Sequence, residues 1–378
     1  MGDLILSGWR LKQPETLYPM QLFHCNDCGL CQLGYIVDPA IVYQDFPFVS
    51  GTTQTATKHL QGLAADLSAR LGLGPGSFAL DIGSNDGTLL AGYLPHNVRI
   101  LGIDPSALPV EIARQRGIPT WHAFFNEETA RLVLEESGPA DAISAAGCFA
   151  HIADLTGVMK GVKLALKAGG IFCSDNQYWL DMVESLHYDN IFHQHLRNYS
   201  LKPLQHLFAQ YGMEIVDVER WGVYGGSIRV FAAHEGDHPI SPRVADLMEH
   251  EIRVGLYLPE TAERFRQTTA DKRQKLFDEV YSLAREGKKV IGIGAPAKAS
   301  TVCNFCRLGP DLIEYITEVN PLRIGKYLPG VHIPIIDEAT MFTDPRPADA
   351  AILFAWNYYD EIVPKLRAKG YQGAFLEP

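Results

Sequence analysis

Along most of the chain, short apolar runs alternate with stretches whose apolar residues recur at the helical period. Between Thr55 and Leu73, leucines at 60, 63, 67 and 71 mark one face of a helix, and Gly72, Gly74, Pro75 and Gly76 end it. Apolar runs at Ser77–Ile82, Asn97–Ile103, Ala140–Ala146 and Gly170–Ser174 predict strands, with helical patterns between them. Strands that alternate with helices predict a mostly parallel sheet covered on both faces. The spacing predicts a helix over Tyr199–Gly212, then strands at Ile215–Arg220 and Ile228–His234 around a turn at Tyr224, Gly225, Gly226 and Ser227. A long polar helical stretch follows from about Pro242 to Glu286. A second strand–helix series begins at Lys288, with strands expected at Val290–Gly294, Leu312–Thr317 and Ala350–Phe354. The fold class is therefore α/β in three parts: a small loop-rich module over 1–48, a Rossmann-like domain over 49–238 and a second Rossmann-like α/β domain over 239–378.

Composition narrows the classes. The chain has 378 residues, 47% hydrophobic and 20% charged, which excludes wholesale disorder and leaves room for two or three cores. Lys and Arg total 33 against 44 Asp and Glu, a formal charge of -11 that disfavours nucleic acid and anionic lipid as partners. No apolar run approaches the ~18–20 residues of a membrane helix, and no basic stretch precedes the short apolar start, so the cytoplasm is the expected location. The seven cysteines are odd in number and unevenly spaced, which suits reduced thiols or a metal better than a disulfide framework.

The strongest chemical signal is the turn Asp81-Ile82-Gly83-Ser84-Asn85-Asp86-Gly87, which leaves a strand and opens a helix. Gly83 and Gly87 allow a close backbone approach. About 20 residues on, Asp104 and Pro105 end the next strand, where Rossmann-type folds hold a ribose by its hydroxyls. A dehydrogenase would show Gly-x-Gly-x-x-Gly here, so the turn favours S-adenosylmethionine over NAD. In this stretch the sequence resembles class I methyltransferases, and that resemblance implies Gly83, Ser84, Asn85 and Gly87 against the methionine half of the donor and Asp104 on its ribose. The loop after the third strand carries Gly147 and His151 and should open beside the same crevice, although His151 could equally sit buried beneath a helix. Further on, His193 and His195 stand two residues apart after Asp189 and Asn190. In an extended stretch both rings face one side and suit acid–base work; a metal or a structural role stays open, since a metal would need a third ligand.

Over nearly its whole length the chain resembles the bacterial sugar C-methyltransferases of deoxysugar pathways. The matching pieces are Cys25 to Leu30, Asp81–Gly87, His151–Asp154, Phe192–His195, Gly225–Arg229, Gly292–Lys298 and Tyr327–Gly330. The resemblance implies methylation of a carbon beside the ketone of a nucleoside-diphosphate 4-keto-6-deoxy sugar. It also implies His195 as base, with His193, Tyr178 and Tyr224 placed to hydrogen-bond the sugar and its developing oxyanion, and His151 beside the donor. Asn190, Gly226, Ser227, Arg229 and Lys298 are the corresponding substrate-binding positions, Lys298 with the adjoining helix start suiting a diphosphate. An N-terminal zinc module is implied too, through Cys25 and Cys28. Here the upstream pair of cysteines that would complete four ligands is absent, so a structural zinc and plain thiols both remain open.

The chain departs from the family pattern at Phe192, Gln194, Tyr178 and Tyr224, where the family usually has Tyr, Glu and, at the last two positions, His. Two alternatives follow: a methyl acceptor on oxygen or nitrogen, or a non-catalytic binding homologue. A monomer or a homodimer is expected, with a small nucleotide sugar as the partner.

Overall fold

The computed structural model describes residues 5–43 and 48–378; parts of the N-terminal module and its start, at 1–4 and 44–47, lie outside the described residues. The chain forms two compact units and passes between them four times. The larger comprises Leu22–Met182 and Leu196–Thr261. The smaller comprises the described residues up to Gln21, Val183–His195 and Ala262–Pro378. We propose that the sequence modules meet at 48 and 238.

In the larger unit seven strands form one sheet. They are β1 (Phe78–Ile82), β2 (Arg99–Asp104), β3 (Thr120–His122), β4 (Ala140–Ala146), β5 (Leu166–Gln177), β6 (Met213–Trp221) and β7 (Ser227–His234), in the spatial order β3-β2-β1-β4-β5-β7-β6. The first five run parallel, and β7 is antiparallel to both β5 and β6. Every residue of β1 is buried, as expected of a central strand covered on two faces. The short edge strand β3 carries no apolar run, so the sequence pattern did not predict it. Strand order reverses between β1 and β4, and ligands of open α/β sheets bind outside the carboxyl ends of the strands at such a point.

The helix Gln54–Leu71 covers one face. Thr53 caps its start by accepting a hydrogen bond from the Ala56 amide, and Gly72 ends it at φ 60°, a left-handed conformation that glycine adopts without strain. Its apolar stripe, Leu63 and Leu67, packs into a core with Ala79, Ile171, Cys173 and Phe231. A separate three-stranded sheet pairs Leu22–His24 with Cys31–Leu33 and the latter with Arg197–Asn198.

In the smaller unit, five parallel strands lie in the order β10-β9-β8-β11-β12: β8 (Val290–Ile293), β9 (Ile316–Glu318), β10 (Ile335–Asp337), β11 (Ala350–Leu353) and β12 (Ala374–Leu376). The outer strands β10 and β12 are three residues each and escaped the sequence pattern. The long polar stretch is two helices, Pro242–Arg253 and Pro259–Arg285. Between them Gly255 takes φ 70° and its carbonyl accepts the Thr261 hydroxyl at 2.7 Å. Among the described residues no helix is long and apolar enough to cross a membrane.

Leu63 is fully buried in the core of the larger unit. Leu63→Ala should lower unfolding free energy by about 2–5 kcal/mol, read from a urea melt.

Candidate active site

The turn after β1 is built by hydrogen bonds that leave its backbone little freedom. The Gly83 amide donates to the Ile103 carbonyl at 2.8 Å, fastening the turn to β2. At φ 66° and 75°, Gly83 and Gly87 are left-handed. A Cβ on Gly83 would lie 2.7 Å from the Cys148 Cβ, and one on Gly87 2.8 Å from Ile118, so both positions require glycine. Asn85 also stands at φ 51°, and its amide donates to the Asp104 carboxylate at 2.9 Å. The Ser106 amide donates to the other oxygen of Asp104 at 2.8 Å. Each oxygen keeps a further lone pair, which is the chemistry a ribose diol requires. Burial raises the Asp104 carboxyl above its ordinary value, with the two amides working against it.

Asp81, at the end of β1, accepts the Ser144 hydroxyl at 2.6 Å. Burial pushes its carboxyl up to about 7, opposed by Ser144 and reinforced by the charge of Asp104. The Ser84 hydroxyl is buried without a partner. Pro105 offers its carbonyl to His122 Nε2 at 2.9 Å, and the Gly147 amide donates to the Asp175 carbonyl at 2.8 Å. His151 is half-buried in the short helical turn Phe149–His151, and burial holds its imidazole down at about 4, so it is neutral at physiological pH.

The Asn85 and Asp86 side chains hold a strap. Asn85 Oδ1 accepts the Ser50 amide at 2.9 Å and its Nδ2 donates to the Phe48 carbonyl at 3.1 Å. Asp86 accepts the Gly51 amide at 3.2 Å and Arg116 Nη1 at 2.6 Å. Residues 48–51 are thereby tied across the Gly-rich turn, an arrangement that sequence spacing did not signal.

Arg229 is 1% exposed, and its Nε donates to Asp175 at 2.9 Å. The same carboxylate oxygen takes His59 Nε2 at 2.9 Å. Burial works to raise the Asp175 carboxyl, but His59 and Arg229 outweigh it and hold the group below its ordinary value. Trp221 stands edge-on to His59, with centroids 5.6 Å apart, and Tyr224, at φ 58°, stands edge-on at 6.2 Å. His59, Asp175 and Trp221 were missed in the sequence because they lie on three separate elements with no shared motif. Gly226, at φ 116°, lies against Asp181, where a Cβ would come within 2.3 Å. The Ser227 hydroxyl is buried without a partner. Tyr178 is fully buried and donates its hydroxyl to Glu251 at 2.6 Å; burial and that carboxylate push its phenol well up.

Asn190, His193, His195 and Lys298 belong to the smaller unit. His195 Nδ1 donates to the Asn190 carbonyl at 2.5 Å, which fixes the neutral tautomer with its lone pair on Nε2. Phe192 lies on the same imidazole, centroids 3.8 Å apart. His193 Nε2 donates to the Tyr18 carbonyl at 3.3 Å, and burial lowers its pKa. Gln194 is buried with neither amide atom paired. Lys298 is buried, donates to Asn357 at 3.0 Å and sits 4.1 Å over the Trp356 ring; burial lowers its pKa.

Cys25 and Cys28 flank the turn between two short strands, with Gly29 at φ 77°. They supply two thiols, whereas a structural zinc takes four ligands, and among the described residues no group of three His, Cys, Asp or Glu comes together to hold a metal. The residues present do not fit the implied zinc.

A mostly parallel sheet of this order, with a glycine turn at the reversal and a carboxylate at the end of both β1 and β2, is a Rossmann-like scaffold. The model of the methyltransferase domain matches residues 56–218, and that of the C-methyltransferase C-terminal domain matches 222–377. The chain is 32% identical to the C-methyltransferase NovU of Streptomyces niveus over 355 residues, which is 92% of this chain and 83% of that one. Magnesium protoporphyrin IX methyltransferase of Synechocystis PCC 6803, solved with bound S-adenosylmethionine, is 13% identical with a TM-score of 0.37, covering 47% of this chain and 79% of that one. The plantazolicin methyltransferase BpumL gives 13% and 0.38, covering 49% and 87%. This chain belongs to the C-methyltransferase family and is an S-adenosylmethionine-dependent methyltransferase.

Because the folded Asp81 carboxyl titrates near 7 rather than 3.8, the folded chain binds more protons than the unfolded chain between those values, and stability falls as pH rises through that window. Asp81→Asn removes this loss. In urea melts at a series of pH values, the variant's stability relative to the wild type should climb from pH ~4 to ~7 and then level; a constant difference would contradict the assignment.

Proposed function

We propose that this C-methyltransferase acts on a carbon next to the ketone of a nucleoside-diphosphate 4-keto-6-deoxy sugar. The observation that carries the reading is the His195 imidazole, whose Nδ1–H is committed to the Asn190 carbonyl so that Nε2 holds the lone pair a base needs. His195 Nε2 takes the proton from the carbon beside the ketone, and the released electron pair makes an enolate. The enolate carbon then attacks the sulfonium methyl in line; the new carbon–carbon bond forms as the carbon–sulfur bond breaks, and S-adenosylhomocysteine leaves. In its neutral form the base accepts one proton, which it must later release to water. The turn Gly83–Gly87 holds the methionine half of the donor, and Asp104, through its remaining lone pairs, holds the ribose.

Phe192 supports the same role, because a ring packed 3.8 Å from the imidazole restricts its orientation. The departure at Gln194 removes a negative charge beside the base, which lowers the drive to form imidazolium and bears on which sugar is accepted. The nucleotide-linked acceptor implies the cytoplasm, where such sugars are made.

The test is product analysis with a panel of nucleoside-diphosphate 4-keto-6-deoxy sugars in deuterium oxide. Wild-type protein should add one methylene and exchange the proton beside the ketone. His195→Gln should lose about 10²–10⁴-fold in turnover, the range for a general base, while binding S-adenosylhomocysteine as the wild type does. Methyl transfer to an oxygen, or full activity in the variant, would refute the reading.

A further inference from the structure

At the carboxyl end of β5 in the larger unit, Asp175 collects a histidine from one element and an arginine from another. His59 comes from the helix Gln54–Leu71 and Arg229 from β7, and both bind one carboxylate oxygen at 2.9 Å. A carboxylate can only accept, so the hydrogen in the His59 contact is on Nε2, and Nδ1 is the ring's second polar atom. The cross-strand pairs Arg229 with Asp175 and Ser227 with Gln177 put the Ser227 side chain on the same sheet face as this group. Its hydroxyl is buried without a partner, a polar atom left for something to meet.

Beside the buried group stands an aromatic wall. Trp221 remains 41% exposed, its Nε1 donating to Glu219 at 3.1 Å, while the Arg229 guanidinium lies 4.8 Å from its ring centroid. Tyr224 joins the wall from a left-handed conformation that a non-glycine residue rarely adopts and that concentrates at ligand sites. An apolar ring face next to fixed polar side chains is how a protein grips a pyranose, whose C–H face stacks while its oxygens take hydrogen bonds. The position is also right: Asp175 receives the Gly147 amide on its carbonyl, on the loop that follows β4 at the strand-order reversal.

We propose that Trp221, Tyr224 and His59 form the subsite for the acceptor's sugar ring, Trp221 as the stacking platform and His59, held by Asp175 and Arg229, as a hydrogen-bonding residue for a ring oxygen or hydroxyl. This rests on the acceptor class proposed above and assigns it a place within the larger unit.

The experiment uses the full chain, the sugar-nucleotide panel and S-adenosylhomocysteine calorimetry. Trp221→Ala should raise KM for the sugar nucleotide about tenfold, with kcat and S-adenosylhomocysteine affinity within about twofold of wild type. Trp221→Phe, which restores an aromatic face, should recover most of the loss. His59→Gln should also raise KM, by about five- to tenfold, since one hydrogen bond is displaced. A purely structural role would instead lower the thermal midpoint and donor affinity together and would not be rescued by phenylalanine. Wild-type turnover with unchanged KM in both Trp221→Ala and His59→Gln overturns the subsite. No methylated product from wild-type protein on the whole panel overturns the acceptor class, and the subsite with it.

Discussion

The Asp104 carboxylate is the joint on which the donor side of the molecule depends. It ends β2, accepts the amide of Asn85 from the turn after β1 and the amide of Ser106 from its own loop, and so locks two strand ends into one cradle. Buried carboxylates are costly unless hydrogen-bonded, and here two amides offset that cost while leaving acceptor capacity for a ligand. Asn85 must be left-handed for its amide to reach, and once it is, its side chain turns to hold the Phe48 and Ser50 backbone. One backbone conformation thus serves both the cradle and the strap across it.

The remainder of the larger unit follows from where the sheet reverses. Asp81 and Asp104 end adjacent strands, close enough that the charge of one raises the pKa of the other, and burial does more still. A site with one carboxyl near neutrality and one hydrogen-bonded by two amides suits a donor that carries a cationic sulfur and a neutral diol. On the far side of the reversal, Asp175 repeats the device with side chains in place of amides, binding His59 and Arg229. In the smaller unit the same logic recurs at Glu318, which ends β9 and accepts the Ala295 amide at 2.9 Å from the turn after β8.

Much of this was legible in the sequence where a signal is local. Strands β1, β2 and β4 are apolar runs buried on both faces, and the glycine turn with its distant aspartate is a spacing that chemistry restricts. The small edge strands β3, β10 and β12 were not legible, because three residues at a sheet margin carry no periodicity. The break at Gly255 was hidden inside a polar helical pattern, and only the left-handed φ and the Thr261 bond reveal it. Of the site, Arg229 was singled out but its partners were not: His59 and Asp175 are 116 residues apart, and no single-chain pattern joins them. Lys298, a cation that stands out in an acidic sequence, donates to Asn357 and lies over the Trp356 ring, contacts that no local pattern signalled.

The central claim is that the crevice at the reversal, organised by Asp104, holds the methyl donor. Calorimetric titration of S-adenosylhomocysteine into the full chain and into Asp104→Ala tests it directly. The wild type should show one site per chain and the variant a loss of at least about tenfold in affinity, the worth of a hydrogen-bonded ribose. Equal affinity in the two proteins, with the variant folded, would contradict it.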